Sequence, residues 1–568
     1  MSNGLRQQFR RQPNGLGFIV LLLLILTTLG RADVGRGKRG MVVTVQPIAS
    51  DAGARVLQEG GNAIDAAVAA ALALGVVDSH NSGIAGGCFI LIRTAAGENI
   101  AIDGREMAPA KATRDMYIRD GNPTTQLSQV GPLAVGVPGA LAAYDHAVSS
   151  FGKKRFANLI LPAAKVAEDG FPIDGKYARR LVEEHDRIRQ FPETARVLLK
   201  PDGSTYGAGE ILKQPDLARS YRAIADHGIT WFYNGDFARQ TAQWMRANGG
   251  ILSEADFANY KVIRRHPITS TYRGYTLIGY PPPSSGGVHV AQILSILEHF
   301  DLRSASDTDR IHLTTEAMKL AFADRAYWLG DPDFVKVPRG LLDPAYAAQL
   351  AKKIRPDHAS VVTHGTPPRA DEDLFSKHTT HIAAADSEGN WIGITTTLNT
   401  AFGSKVMIPG TGILLNNQMD DFSIAPGKAN FFGLVGSEAN SIAPGKRPLS
   451  SMSPTVVLKD GQPVMTLGAA GGPTIISQAL LVLSNVIDRG DDLPTAMQRP
   501  RFHHQWSPDV LRIEETVDPA VRAELEKRGH KLDVKKPEGA TNAILRQPDG
   551  TFIGVSEPRG EGKASGVE

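Results

Sequence analysis

The chain has one cysteine in 568 residues, Cys88. A single thiol excludes an intramolecular disulfide and any cysteine-based metal cluster. Cys88 lies in the apolar run "GGCFILI", where it reads as a small buried hydrophobe rather than a nucleophile. Charge of one sign is scarce as well, with a formal net charge of +3 and 21% charged residues. A nucleic-acid binder concentrates Lys and Arg on one element, whereas clusters such as "GKKR" (152–155) are short enough to be solvated surface. No internal repeat of fixed period is present. The 58 glycines and 35 prolines fall in many separate turns rather than in one low-complexity block. An HExxH metal motif, a Walker loop and a GxSxG elbow are all absent, so three familiar chemistries lack support.

What is present fits an ordinary globular protein. With 42% apolar residues the chain can bury a substantial core, and its length allows two to four domains or fewer large ones. The N-terminus "MSNGLRQQFRRQPNGLGFIVLLLLILTTLGRA" has an Arg-bearing start and an apolar run. A small-residue site follows at Gly30-x-Ala32. This is the layout of a secretory signal peptide over residues 1–32, and the run is short for a membrane span. The expected mature protein is exported, periplasmic or secreted, and starts near Asp33; an uncleaved anchor is the alternative.

Periodicity predicts an Ala-rich, deeply placed helix in "GGNAIDAAVAAALALGVV". Two strands around an Ala-Gly turn are expected in "GCFILIRTAAGENIAIDGRE". Residues 140–350 read as mostly helical, most clearly in "IHLTTEAMKLAFADRAYWLGDP", which carries Gly330 and Pro332 as stop signals. The stretch 356–377 is polar, Pro-containing and aperiodic, the pattern of an exposed or disordered link. Three hairpin-like units follow, "THIAAADSEGNWIGITTTL", "PTVVLKDGQPVMTLGAAGG" and "NAILRQPDGTFIGV", the last two with Asp-Gly turns. The helical pattern "TIISQALLVLSNVIDRG" intervenes. Antiparallel strands mixed with helices predict a layered protein whose sheet faces are covered by helices.

The seam between that link and the first hairpin reads "HTTH" (378–381). A threonine hydroxyl is a poor nucleophile without an adjacent base, and one solution is the residue's own α-amine. Such an amine, with a pKa of about 8, takes a hydroxyl proton near physiological pH. It exists at an internal threonine only if the preceding peptide bond is cut. An exposed segment running into a rigid strand suits such a cut, but a Thr-Thr pair opening a strand is also common β usage.

The stretch "TTHIAAADSEGNWIGITTTLNTAFGSKVMIPGTGILLNNQMDDFS" resembles the start of the small subunit of γ-glutamyltransferases, members of the N-terminal-nucleophile hydrolases. Further segments are similar to that family in its order. They include "GMVVTVQPIASDAGARVLQEGGNAIDAAVAAALAL", "IDGREMAPAKATRDMY", "AVGVPGALAAY", "PPPSSGGVHVAQ", "EAMKLAFADRAYWLGDPDF", "KRPLSSMSPT" and "GAAGGPTI". The resemblance implies an α+β fold, a four-layer αββα sandwich of two mainly antiparallel sheets covered by helices. It implies self-cleavage between His378 and Thr379, giving a large subunit (33–378) and a small catalytic one (379–568) intertwined in one globular domain.

Carried over by position, Thr379 is the nucleophile and Thr397 its hydrogen-bonding partner. Asn399, Gln418 and Asp421 hold the substrate's α-amino group. Arg105, Ser450 and Ser451 hold its α-carboxylate, and the amides of Gly471 and Gly472 form the oxyanion hole. Thr380, Thr395 and Thr396 read as strand residues, and "PPPSSGG" (281–287) as a rigid turn. The segment 425–448 resembles a lid over the glutamyl pocket, with Phe432 where several bacterial members have tyrosine. "SHNSGIAGGCF" (79–89) departs from a more uniformly Gly-rich family loop, and a packing adjustment is expected there.

The implied activity is transfer or hydrolysis of γ-glutamyl groups. Glutathione and other γ-glutamyl compounds are the expected donors, and water, amino acids or dipeptides the acceptors, with no metal or organic cofactor and no nucleic acid. A lid of this length favours small compounds over polymeric ones. The alternatives are a cephalosporin (glutaryl) acylase-like amidase and a non-catalytic binding homologue. The retained Arg105, Asp421 and serine pair answer to an amino-acid head group and argue against the first; the retained Thr379 and Thr397 argue against the second.

Overall fold

The alternation of apolar residues along each central strand sorts its side chains into two different cores. In Gly40–Thr44, Met41 and Val43 point one way and Val42 the other. Phe89 and Leu91 likewise separate from Ile90 and Ile92 in Gly87–Arg93. Such period-2 sorting requires both faces of a sheet to be covered. In this computed structural model, which describes residues 33–368 and 381–568, it produces four layers.

One seven-stranded sheet runs in the order Val34–Gly37, Phe552–Val555, Asn542–Arg546, Gln462–Gly468, Thr455–Lys459, Tyr275–Gly279, Ile268–Tyr272. The second runs Lys563–Val567, Gly40–Thr44, Ile382–Asp386, Trp391–Thr397, Gly87–Arg93, Asn99–Gly104, Ile263–Arg265. Neighbours within both sheets are antiparallel. Between the sheets lies a core that includes Phe89, Trp391, Tyr280, Val456 and Phe552. Helices Pro47–Gln58, Ala63–Val77, Ala140–Phe151 and Phe156–Asp169 cover the second sheet. Gly286–Leu297, Asp307–Trp328, Pro344–Ala351 and Thr474–Ile487 cover the first. The α+β, four-layer expectation therefore holds. Strands from before residue 369 and after residue 381 are interleaved in the second sheet, and the two parts of the chain share each of the cores.

Ala63–Val77 is buried at every position, and Asn62 and Asp65 form its capping box. Small side chains let it approach the neighbouring helices closely, which fits its central place. The three hairpins form as expected, and Asp460 (φ 51°) with Gly461 (φ 76°) make a tight turn in the second. Cys88 is fully buried, and burial pushes its thiol well above the ordinary range.

Residues 140–350 depart from the helical expectation at 263–279, where three short strands complete the edges of both sheets. Their hairpin turns through Arg273 (φ 50°) and Gly274 (φ 79°), and arginine at a left-handed position hides the usual Asn-Gly signal. The link at 356–368 has no regular structure, as expected, but it is tied down. Ser360 N donates to Glu316 (2.9 Å), Gly365 N to Asp324 (2.7 Å), and the Trp506 and Trp328 indoles to the carbonyls of Val362 (2.9 Å) and Gly365 (3.1 Å). It is thus a strap along helix Asp307–Trp328.

Candidate active site

The hairpin Ile382–Asp386/Trp391–Thr397 delivers Thr397 at the end of its return strand, opposite Gly87. The strand must end here because Asn399 takes a left-handed backbone (φ 83°), and its amide donates to Thr397 Oγ1 at 2.7 Å. The Thr397 hydroxyl oxygen is thereby used as an acceptor, leaving its hydrogen to donate. Close approach demands glycine on the neighbouring loop: a Cβ at Gly86 would lie 1.9 Å from the Thr397 carbonyl oxygen. This is the physical sense of the "AGG" in 85–87. Thr396 is more than a strand residue, since it accepts from Tyr144 OH (2.7 Å) and donates to the Gly87 carbonyl (3.1 Å). His378 and Thr379, with Thr380, lie outside the described residues, as does the segment 1–32 expected to be a signal peptide. His381 is fully buried, its imidazole 3.4 Å from Thr395 Oγ1, and burial lowers its pKa to about 3.

The expected head-group residues come together. Arg105 ends the Asn99–Gly104 strand fully buried, and its Nη2 donates to Asp421 Oδ2 at 2.6 Å. Gln418 Nε2 donates to the same oxygen at 2.6 Å, from the same short helical turn, Gln418–Asp421. Burial raises the Asp421 pKa despite the guanidinium beside it. The adjacent Asp420 faces away, accepting from Ser128 Oγ (2.5 Å) and from Phe431 N (3.2 Å) in the expected lid. Asn399 Nδ2 reaches the Asn417 carbonyl at 3.0 Å.

Ser450 and Ser451 run beside "PPPSSGG": Ser285 donates to the Ser450 carbonyl through both N (3.0 Å) and Oγ (2.6 Å), and Ser284 Oγ to the Met452 carbonyl (2.6 Å). The rigid-turn reading of that loop agrees with these contacts.

Gly471 (φ 125°) and Gly472 (φ 58°) precede helix Thr474–Ile487. Their carbonyls accept from Thr474 N and Ile475 N, while their own amides donate to no other described residue. Two open N–H groups at a helix N-terminus suit a developing negative charge. A Cβ at Gly472 would meet the Phe432 ring at 2.6 Å, so the segment that resembles a lid packs directly on this pair. The lid carbonyls of Phe432 (3.4 Å) and Gly433 (3.0 Å) accept from Gln505 Nε2. Gln505 Oε1 meets His503 Nε2 (3.1 Å), and His503 Nδ1 meets Ser477 Oγ (3.0 Å) on the same helix. The segment that resembles a lid is thus held by Gln505, without a tyrosine.

Four further positions at the candidate site escaped sequence reasoning. Glu106 Oε2 lies 3.3 Å from Arg105 Nη1, its Oε1 has no partner, and burial pushes its carboxyl up to about 7. Asn416 clamps the carbonyls of Ala85 and Gly136 (both 2.9 Å), and Asn417 that of Gln129 (2.9 Å), fixing the turn that carries Gln418 and Asp421. Arg325 lines the cavity beneath the lid with Asp421, Asn440 and Leu449. Only Arg325 left a signal in sequence, a cation inside the apolar run "AFADRAYW".

A family model described as gamma-glutamyltranspeptidase matches residues 49–567. The chain is 44% identical over 528 residues to the glutathione hydrolase proenzyme of Escherichia coli K12, covering 92% of this chain and 91% of that one. It is 41% identical over 538 residues to the acylase ACY 1 proenzyme of Pseudomonas sp. SE83, covering 93% of each. Among solved structures, the cephalosporin acylase of Bacillus halodurans superposes with a TM-score of 0.85 at 30% identity, over 94% of this chain and 97% of that one.

Proposed function

Since the chain belongs to the gamma-glutamyltranspeptidase family, we propose that it is an autoprocessed γ-glutamyltransferase that also hydrolyses glutathione. The observation that carries this reading is the buried set Arg105, Asp421 and Gln418 beside Ser450 and Ser451. It offers separate partners for a carboxylate and an ammonium, as an α-amino-acid head group requires. Burial of such a pair is costly for the fold and argues for use.

Cleavage before Thr379 frees its α-amine. The hairpin register pairs Ile382 with Ile394; Thr379 precedes the first by three residues as Thr397 follows the second by three, which supports Thr397, whose hydroxyl hydrogen is free to donate, as its partner. The Thr379 α-amine takes the Oγ proton as Oγ attacks the γ-amide carbonyl carbon. The carbonyl oxygen becomes an oxyanion held by the Gly471 and Gly472 amides. Collapse breaks the C–N bond, and the amine passes its proton to the leaving group, cysteinylglycine when glutathione is the donor. Water, an amino acid or a dipeptide then attacks the γ-glutamyl ester, releasing glutamate or a new γ-glutamyl amide and restoring the Thr379 hydroxyl.

The "proenzyme" relatives support a two-subunit product of one precursor, residues 33–378 with 379–568. The shared cores would keep the pieces together after the cut. Among the described residues no helix is long and apolar enough to cross a membrane, and the signal-like N-terminus supports export to the periplasm or medium. The chemistry is tested by comparing initial rates on γ-glutamyl and glutaryl 4-nitroanilides. The expected result is a strong preference for the γ-glutamyl compound; equal rates or a preference for glutaryl would replace the reading with an acylase.

A further inference from the structure

Arg325 poses a problem of charge. It sits in helix Asp307–Trp328 with 4% of its surface exposed, and it makes no ion pair with any described carboxylate. Its hydrogen bonds go to two serine hydroxyls: Nε donates to Ser285 Oγ at 2.9 Å and Nη2 to Ser451 Oγ at 3.3 Å. Burial presses its pKa down to about 10, and the field of Asp421 offsets this only in part. An uncompensated buried guanidinium is expensive to maintain. The neighbouring guanidinium Arg105 is already matched to Asp421.

A guanidinium only donates, so it occupies lone pairs on both serines and fixes where their hydrogens point. Ser285 turns its hydrogen onto the Ser450 carbonyl at 2.6 Å, holding that backbone in place. Ser451 Oγ is left as a donor with no acceptor among the described residues. We propose that Arg325 is a positioning residue for the substrate's α-carboxylate: it sets Ser451 as a hydroxyl donor, holds the Ser450 backbone through Ser285, and adds a second buried positive charge. The inference rests on the γ-glutamyl reading above and deepens it. The carboxylate supplies the missing countercharge, and the acyl carbonyl gains nothing from Arg325.

The test uses the processed enzyme, with L-glutamate and 4-aminobutyrate as competitive inhibitors of γ-glutamyl-4-nitroanilide hydrolysis. The two inhibitors differ by the α-carboxylate alone. Arg325→Gln is expected to raise KM for the anilide and Ki for L-glutamate by about tenfold or more, the scale of a hydrogen bond involving a charged group. kcat should change little, since the lost interaction is shared by ground and transition states. Ki for 4-aminobutyrate should hardly move, and Arg325→Lys should recover part of the loss.

Equal weakening of both inhibitors, or no change in either, would overturn the role. If 4-aminobutyrate binds too weakly to measure, the lysine variant decides, because failure to recover L-glutamate binding overturns it too. If Arg325→Gln does not yield processed enzyme, Ser285→Ala must weaken L-glutamate selectively, and indifference there overturns the inference. A wild-type protein inactive on the anilide would overturn the functional reading itself, which separates the two failures.

Discussion

The two ends of the site are built from opposite materials. The head-group end uses polar and charged side chains, Arg105, Arg325 and the Gln418–Asp421 turn, brought from three distant segments and buried. The reaction end uses main chain: the strand terminus at Thr397 and the open amides of Gly471 and Gly472. At the first end Arg105 and Asp421 satisfy each other before substrate arrives, while Arg325 is held by two serine hydroxyls and keeps no described carboxylate partner. At the second end the donors are unsatisfied among the described residues, as the proposed reaction requires of groups aimed at charge that exists only during reaction. The proposed function thus assigns specificity to side chains and rate to backbone.

Substitutions at the two ends should fail differently. The largest effect short of the nucleophile is expected at Asp421→Asn, which strips Arg105 of its 2.6 Å partner in a buried place. Breaking a buried pair costs on the order of 3 kcal/mol or more. KM for γ-glutamyl anilide should rise steeply and the melting temperature fall, and an unchanged melting temperature would show that the pair is not strained by burial. Next comes Gly472→Ala. The left-handed backbone and the Phe432 ring at 2.6 Å both oppose the new Cβ. kcat should drop by about 100-fold, the scale of a misplaced oxyanion donor, with KM nearly constant. Phe432→Ala in the same chain should recover the steric share, and no recovery would assign the whole loss to backbone strain.

A smaller change is expected at the junction of the two ends, where Gln505 holds the lid carbonyls of Phe432 and Gly433. Gln505→Leu should raise KM several-fold, about 1 kcal/mol per lost hydrogen bond, and speed proteolytic nicking within 425–436. Equal protease resistance would mean that the latch lies elsewhere.

The smallest effect lies outside the site. Burial lifts the Asp78 carboxyl from 3.8 to about 7, against a lowering influence from Lys176. Its folded pKa is raised, so its contribution to stability is complete below about pH 4 and is lost as pH rises through about 7. Asp78→Asn should thus melt progressively higher than wild type on going from about pH 5 to about pH 8. A constant difference across that range would contradict the assignment.

Much of the fold was legible because local and global signals agree. The Asp460-Gly461 turn, the alternating strands and the capped helix at Ala63–Val77 each follow from short-range rules. The strands at 263–279 were not legible, being only three to five residues long and joined by an Arg-Gly hairpin between helical neighbours. In the site, the resemblance named Arg105, Gln418 and Asp421, and the fold brings them together. Glu106, Asn416 and Asn417 were invisible because a buried polar group is defined by what surrounds it, which sequence order does not display. The strap at 356–368 misled for a similar reason: its polarity is that of a loop, yet its partners on Asp307–Trp328 are long-range.

The central claim is that a cut before Thr379 creates the nucleophile, and N-terminal sequencing of the purified protein's fragments tests it most directly. Two fragments are predicted, the smaller beginning Thr-Thr-His-Ile, with Thr379→Ala giving one uncut chain that has no activity on γ-glutamyl anilide. A small fragment with any other first residue, or full activity in an uncut chain, would contradict the account.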